Sequence, residues 1–489
     1  MKKSCQYDRA YQGLLQALNP AELAGGYSSS VSYYDQTPDS YSGSNSPTKS
    51  HPLFTIDDLG NAHLDPFRTY PSELSPECIS EVLTYSTKEM WPKLFPGFVH
   101  KGMPFVHHWM YSAMGCPALF NAWLHSGAEH LQLRASASNP AIIPSKKAAY
   151  EKLLMQREAI VSLKKVIETG RQDMITDEIV MSAFALTLHP SERRTGAAVR
   201  MRSAPLANLQ WLSRFTDIVI SDEQVQGLRH LVKARGGFDK LEMPGLKQGL
   251  STFNLLVASK SLTRPFWPLR SGLEAEAISE FLLSLQEYPR ENGETSSTWP
   301  SLIFPESMAW EVQVVSLYTA MLHDYSRGLL GGLDTGYVLE IRNSIHYHIM
   351  NLPSSFEDTL EAPSLKYEAC RLGLVVYSLL ILFPVPLMTE PYPDLAQQLR
   401  NELDYIQIDP SFWGQDLDLL LWLLTMGGVA ALGTDKRWWF IQQIRWVTKM
   451  LELDTWEHFK ATVASILWLD SPCDFEGLAL WEESHTIEA

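Results

Sequence analysis

Hydrophobic positions along this chain recur mostly at three- and four-residue spacing, the period of an α-helix with one buried face. Over 148–168, leucines and isoleucines keep that spacing with charges between them, which predicts an amphipathic surface helix. Thr176, followed by Asp177 and Glu178, marks another start, with acid in the first turn where the helix dipole favours it. Pro190 and Gly196 in HPSERRTGAAVRMRSAP break that helix. Further helices are predicted over 308–325 and 365–383, the second stopped by Pro384.

The stretch SDEQVQGLRHLVKARGGFDKL reads as one helix with both ends written. Ser221 caps its N-terminus and Gln224, three residues on, completes a capping box. Val225, Leu228 and Leu231 repeat on one face, and His230 falls off that face towards solvent. Lys233 and Arg235 lie in the last turn, at the negative end of the dipole. Gly237 suits the left-handed C′ position, which puts Phe238 at C″, packing back over Val232. Pro244 then fits the first turn of a following helix with the face Leu246, Leu250, Phe253 and Leu256.

Two longer apolar runs, 372–388 and 419–433, approach the length of a membrane span. The first carries Pro384 and Pro386 and the second Gly427 and Gly428, so both read as buried core helices. Alternating strand patterns, hairpin dipeptides and repeats are scarce. Residues 25–50 are rich in Ser, Tyr, Gly and Pro without an apolar period and are expected to be disordered. Residues 7–18 place Tyr11, Leu14, Leu15 and Leu18 on one face of a short helix, either a stray amphipathic turn or a partner-binding segment. The expected fold is all-α, a large multi-helix region over 51–489 behind a mostly disordered segment, 1–50.

Composition narrows the classes. The 489 residues are 45% apolar and 20% charged, ordinary for a globular protein, and the net charge of −16 argues against coating nucleic acid by bulk attraction. The five cysteines, Cys5, Cys78, Cys116, Cys370 and Cys473, form no C-x-x-C pair, so neither a disulfide framework nor a structural zinc site is expected. They suit a reducing compartment. The N-terminus turns polar too soon for a secretory signal.

Candidate chemistry is sparse. His107–His108, His125 with His130, and His346-x-His348 lack the spacing or the further ligands that a metal site needs. Asp334-Thr335-Gly336 matches the aspartic-protease tripeptide, yet that chemistry needs two such loops, and one is present. Arg193, Arg194, Arg200 and Arg202 make the densest positive patch, without the interleaved aromatics of a base-stacking surface. Thr37-Pro38 and Ser46-Pro47 could be phosphorylated. The aromatic stretches RPFWPL and KRWWF either pack the core or line an apolar pocket. No P-loop, G-x-G-x-x-G, G-x-S-x-G or H-E-x-x-H occurs, so no catalytic residue, cofactor or metal is expected.

LRHLVKARGGFDKL, with its Arg235, Gly236 and Gly237, resembles the fungal-specific transcription factor regulatory domain that follows zinc-cluster DNA-binding modules. LDPFRTYPSEL, YSTKEMWPKLFP, NAWLHSGAEHLQLR, YEKLLMQREAIVSLKKVI and TDEIVMSAFALTL are similar to its earlier blocks, in order. YEACRLGLVVYSLLI, with Arg371, and LLWLLTMGGVAALGTDKRWWFIQQI, with Gly427, Gly428, Trp439 and Phe440, resemble its C-terminal blocks. The likeness runs over about 51–470 and implies a structural role for these signature residues. It also implies a nuclear, non-enzymatic regulator acting through protein partners, either the transcription machinery or a DNA-binding regulator, with a small-molecule effector as a further input. The family's zinc cluster needs six cysteines in an N-terminal array, and Cys5 alone precedes Cys78, so direct zinc-cluster DNA binding is not expected. The alternatives are a metabolite-binding protein or enzyme on the same scaffold, and a gene whose zinc-cluster exon lies upstream of Met1.

Overall fold

The structure, a computed structural model, describes residues 70–95, 104–138, 145–187, 189–190, 204–207, 209–210, 212, 218–270, 304–328, 335–355, 364–387, 390–406 and 410–486. The expected helix at 7–18, the expected disorder up to residue 50, Asp334 and the Arg193–Arg202 patch lie outside these residues. The fold is all-α. Among the described residues fifteen helices of nine or more residues form the body, and the extended segments, His189–Pro190 and Ile218–Val219, have two residues each. The chain divides into two compact units, residues 1–190 with 220–247, and 191–219 with 248–489.

In the first unit the helices are α1 (Pro76–Tyr85), α2 (Pro104–Gly115), α3 (Pro117–Ser138), α4 (Lys146–Glu168), α5 (Asp177–Thr187) and α6 (Asp222–Ala234). Helix α3 packs against α1, α2, α4 and α5, and α6 packs on α5. The core holds Trp91, Trp109 and Trp123, whose ring centroids lie 5.2–5.4 Å apart. A buried indole needs an acceptor for its N–H; Trp109 Nε1 donates to the Pro244 carbonyl at 2.7 Å.

Helix α7 (Leu246–Ser261) starts two residues after Pro244, which therefore precedes the helix instead of lying in its first turn. Leu246, Leu250 and Phe253 are buried as expected, but so are Leu255, Val257 and Ala258, and Leu256 is only partly covered.

The second unit contains α8 (Ala309–Ser326), α9 (Thr335–Asn351), α10 (Tyr367–Tyr377), α11 (Tyr392–Ile406), α12 (Leu417–Ala430), α13 (Arg437–Met450), α14 (Trp456–Ala464) and α15 (Asp470–Thr486). Every residue of α12 from Leu419 onward is buried, and α10, α11, α13, α14 and α15 pack around it. A helix apolar on all sides needs such a sheath. Helix α10 ends in a wider turn, Ser378–Leu382, before Pro384. No helix among the described residues is long and apolar enough to cross a membrane.

Candidate functional site

Helix α6 carries two apolar stripes side by side. Ser221 Oγ accepts the Gln224 N–H at 3.2 Å, so the N-terminal cap falls where the sequence places it. Val225, Leu228 and Val232 are buried at i, i+3 and i+7, so Val232, and not Leu231, completes the core face. Leu231 turns aside with Gln224, Gly227 and Ala234 to form one wall of a groove of about 850 Å³. Leu163 and Ile167 of α4, Ile175, Ala183 and Leu186 of α5, and Leu228 of α6 supply the rest of its apolar lining. A side chain at Gly227 would meet nothing within 4 Å, so the groove reaches the α6 backbone there.

The groove's polar groups are mainly cationic or neutral. Exposed His230 and Lys233 of α6 stand at it together with Arg171, whose guanidinium bonds Asp173 at 3.1 and 2.5 Å. Lys233 has no acidic partner among the described residues. Gly170, at φ +62°, turns the chain out of α4, and Gln172 Nε2 then donates to the Ala234 carbonyl at 2.8 Å. That bond ties the turn after α4 to the C-terminal end of α6 and holds the two walls in register.

The glycines after α6 sit one position earlier in the cap than the sequence suggests. Gly236 N–H reaches the Lys233 carbonyl at 3.1 Å and Gly237 N–H the Val232 carbonyl at 2.9 Å, which makes Gly236 the C′ residue and Gly237 the C″ residue. Both take positive φ, +112° and +99°. Phe238 is buried as expected. Arg235 does more than face the helix dipole: its Nε donates to Asp177 Oδ1 at 2.7 Å. Asp177 Oδ2 accepts the backbone N–H groups of Glu242 and Met243 at 2.5 and 2.6 Å. One buried carboxylate at the start of α5 thus fixes the end of α6 and the loop after it.

A buried polar cluster occupies the second unit. Arg342 of α9 is fully buried; its Nη2 donates to Gln210 Oε1 at 2.5 Å and Asn343 Oδ1 at 3.0 Å, and its guanidinium lies 5.2 Å from the Phe383 ring centroid. Burial pushes this guanidinium down to about 10, which still leaves it charged at neutral pH. His346, one turn on, stacks on Phe383 at 4.5 Å. Its Nε2 meets Ser259 Oγ and its Nδ1 meets Ser378 Oγ, both at 2.8 Å. Burial, and then the Arg342 charge, lower the imidazole to about 3 and keep it neutral. With hydroxyls on both nitrogens, this histidine joins α7, α9 and the turn after α10; neither nitrogen is hydrogen-bonded to a carboxylate.

Arg371, Gly427, Gly428, Trp439 and Phe440 are held in packing and ion-pair contacts. Arg371 bonds Glu368 through Nε at 3.0 Å and Nη2 at 2.5 Å, and Glu368 also accepts the Ser355 N–H at 3.0 Å. Gly427, Gly428, Trp439 and Phe440 come together where α12 meets α13 and α15. A methyl on Gly427 would overlap the Phe440 ring, and one on Gly428 would press on Leu480. Trp439 meets Phe440 edge-on at 4.9 Å, with the Arg400 guanidinium 5.4 Å from its ring.

Several of the other candidates have packing or hydrogen-bond partners. His346 and His348 lie on a helix, where i, i+2 side chains diverge; His348 stands against Trp310 at 4.7 Å. His130 Nδ1 meets the Tyr85 hydroxyl at 2.6 Å. Thr335 and Gly336 open α9. Cys78 and Cys116 are half-buried and Cys370 and Cys473 buried, all free thiols; burial, with Glu151 adding to it, pushes Cys78 up to about 12. No His/Cys/Asp/Glu cluster among the described residues has the geometry to hold a metal ion. Trp267 of RPFWPL is buried and its carbonyl accepts Asn254 Nδ2 at 3.0 Å. No protein-family model, curated protein or solved structure matches this chain.

Proposed function

We propose that this chain is a non-enzymatic regulatory protein of the transcription-factor kind, working in the nucleus through protein contacts made at the α4–α6 groove. One observation carries the reading. The apolar groove, with Lys233 on its wall, is built on the same helix whose LRHLVKARGG segment resembles the fungal regulatory domain. An exposed apolar surface rimmed by polar groups marks a place where something binds. Asp177, Arg235 and the two glycines hold α6 in place from behind, so the surface is preorganised, and contacts on a preorganised surface lose little to ordering. The partner in this reading is the transcription machinery or a DNA-binding regulator.

A small-molecule effector is the second reading. It is favoured by the groove's volume of about 850 Å³, inside the range of roughly 300–1,000 Å³ for such sites. One experiment tests the regulatory reading. The full chain, fused to a neutral DNA-binding module, should change transcription of a reporter carrying that module's site. Reporter output equal to that of the module alone would overturn the regulatory reading.

A further inference from the structure

The groove does not stop at α6. Ile167, which lines it, is one of three half-exposed apolar residues at seven-residue spacing on α4, with Ile160 and Leu153 before it. A seven-residue step rotates an α-helix by only ~20°, so all three face nearly the same way. From Leu153 to Ile167 the stripe runs about 21 Å at ~1.5 Å per residue. A small molecule seated in the groove would leave Ile160 and Leu153 in water, whereas an α-helix laid along α4 would cover them together with the groove. Apolar residues repeating every seven positions on an exposed helix supply one row of the seam along which two helices pack.

Charge selects which helix. Arg157 and Lys164 interleave with the apolar residues on this seam, and both are exposed. Their neighbours Glu158 and Glu168 pair with them at the surface, at 2.9 and 3.5 Å, where such pairs contribute little. Helix α4 carries six basic against three acidic side chains, in a chain of net charge −16, and Lys233 extends the cationic edge across the groove. A second copy of α4 fits poorly in either direction. Parallel pairing sets Arg157 against Arg157; antiparallel pairing about Ile160 sets Arg157 against Lys164. We infer that the α4 seam and the adjoining groove receive an acidic amphipathic helix of a partner protein, its apolar residues on Leu153, Ile160, Ile167 and Leu231 and its carboxylates between Arg157, Lys164 and Lys233. This deepens the reading of the groove as a protein contact surface and rests on it.

The test uses the full chain and a fluorescein-labelled synthetic helix with leucine every seven residues and glutamate at the interleaved positions. Its controls are a twin with lysine for glutamate, a scrambled peptide of the same composition, and a peptide of residues 7–18 of this chain. Fluorescence anisotropy should show the glutamate helix binding about tenfold or more tightly than its lysine twin and the scrambled control, with affinity falling as salt rises. Ile160→Ser, at an exposed site, should abolish binding without loss of helix content. The double variant Arg157→Glu/Lys164→Glu should reverse the preference towards the lysine twin.

Equal binding of glutamate, lysine and scrambled peptides would overturn the assignment, as would no binding at all. Tighter binding of the residue 7–18 peptide would give the seam to the chain's own N-terminal segment. Dimers in sedimentation that Ile160→Ser dissolves would give it to a second copy. Any of these alongside an active tethered reporter removes the assigned partner and leaves the regulatory reading standing; a silent reporter removes that reading itself.

Discussion

Asp177 and Arg235 lie 58 positions apart and meet at 2.7 Å, joining the first residue of α5 to the last turn of α6. The same carboxylate holds the Glu242 and Met243 N–H groups, so three donors depend on it. Asp177→Ala strands those donors and should cost about 2–4 kcal/mol. Arg235→Met leaves the carboxylate its two backbone donors and should cost less. Urea unfolding followed by far-UV circular dichroism ranks the two, and equal stability of Asp177→Ala and wild type would refute the clamp.

Leu231 and Val232 are neighbours with opposite surroundings, one lining the groove and the other buried in the core. Val232→Asp should cost roughly 3 kcal/mol or more, because it buries an unpaired charge. Leu231→Asp should stay within about 1 kcal/mol of wild type. Midpoints from the same unfolding curves decide it, and comparable losses would mean that the groove wall belongs to the core.

That pair also shows what a linear pattern can say. Helix α6 has apolar residues at 225, 228, 231 and 232, compatible with two overlapping stripes, and periodicity alone does not choose which one meets the core. The cap at Ser221, the burial of 419–430 and the all-α class follow from local rules about caps, length and period. Local rules read Arg235 as a dipole partner because its hydrogen-bond partner lies 58 positions away, beyond their reach. Arg342 carries a weak linear signal, an arginine between Ile341 and Ile345 on a helical face that it shares with His346. The groove had no linear signature, since it joins residues from three helices and a turn.

Gly427 faces Phe440 so closely that no methyl fits between them. Gly427→Ala should cost about 1–3 kcal/mol through overpacking. Combining it with Phe440→Leu should cost less than the two single changes added, with a coupling of roughly 0.5–3 kcal/mol. Thermal unfolding of the four variants tests this, and strict additivity would place the two residues out of contact.

His346 titrates at 6.5 when unperturbed and at about 3 in the fold, where burial disfavours its charged form. Below pH 6.5 the unfolded chain takes up a proton that the folded one refuses. Stability from this group is therefore complete above pH 6.5 and falls as pH drops towards 3, by about 1.4 kcal/mol per unit. The difference in unfolding free energy between wild type and His346→Gln should narrow steadily over that window. A difference independent of pH would contradict the buried, neutral imidazole.

The regulatory account rests on the groove, and one comparison reaches it most directly. The full chain and its Leu231→Glu variant, each fused to a neutral DNA-binding module, are assayed on a reporter gene, with circular dichroism confirming equal folding. The expected result is a several-fold change in transcription with the wild-type chain and none with the variant. A wild-type chain that leaves the reporter unchanged, or a variant as active as wild type, would contradict it.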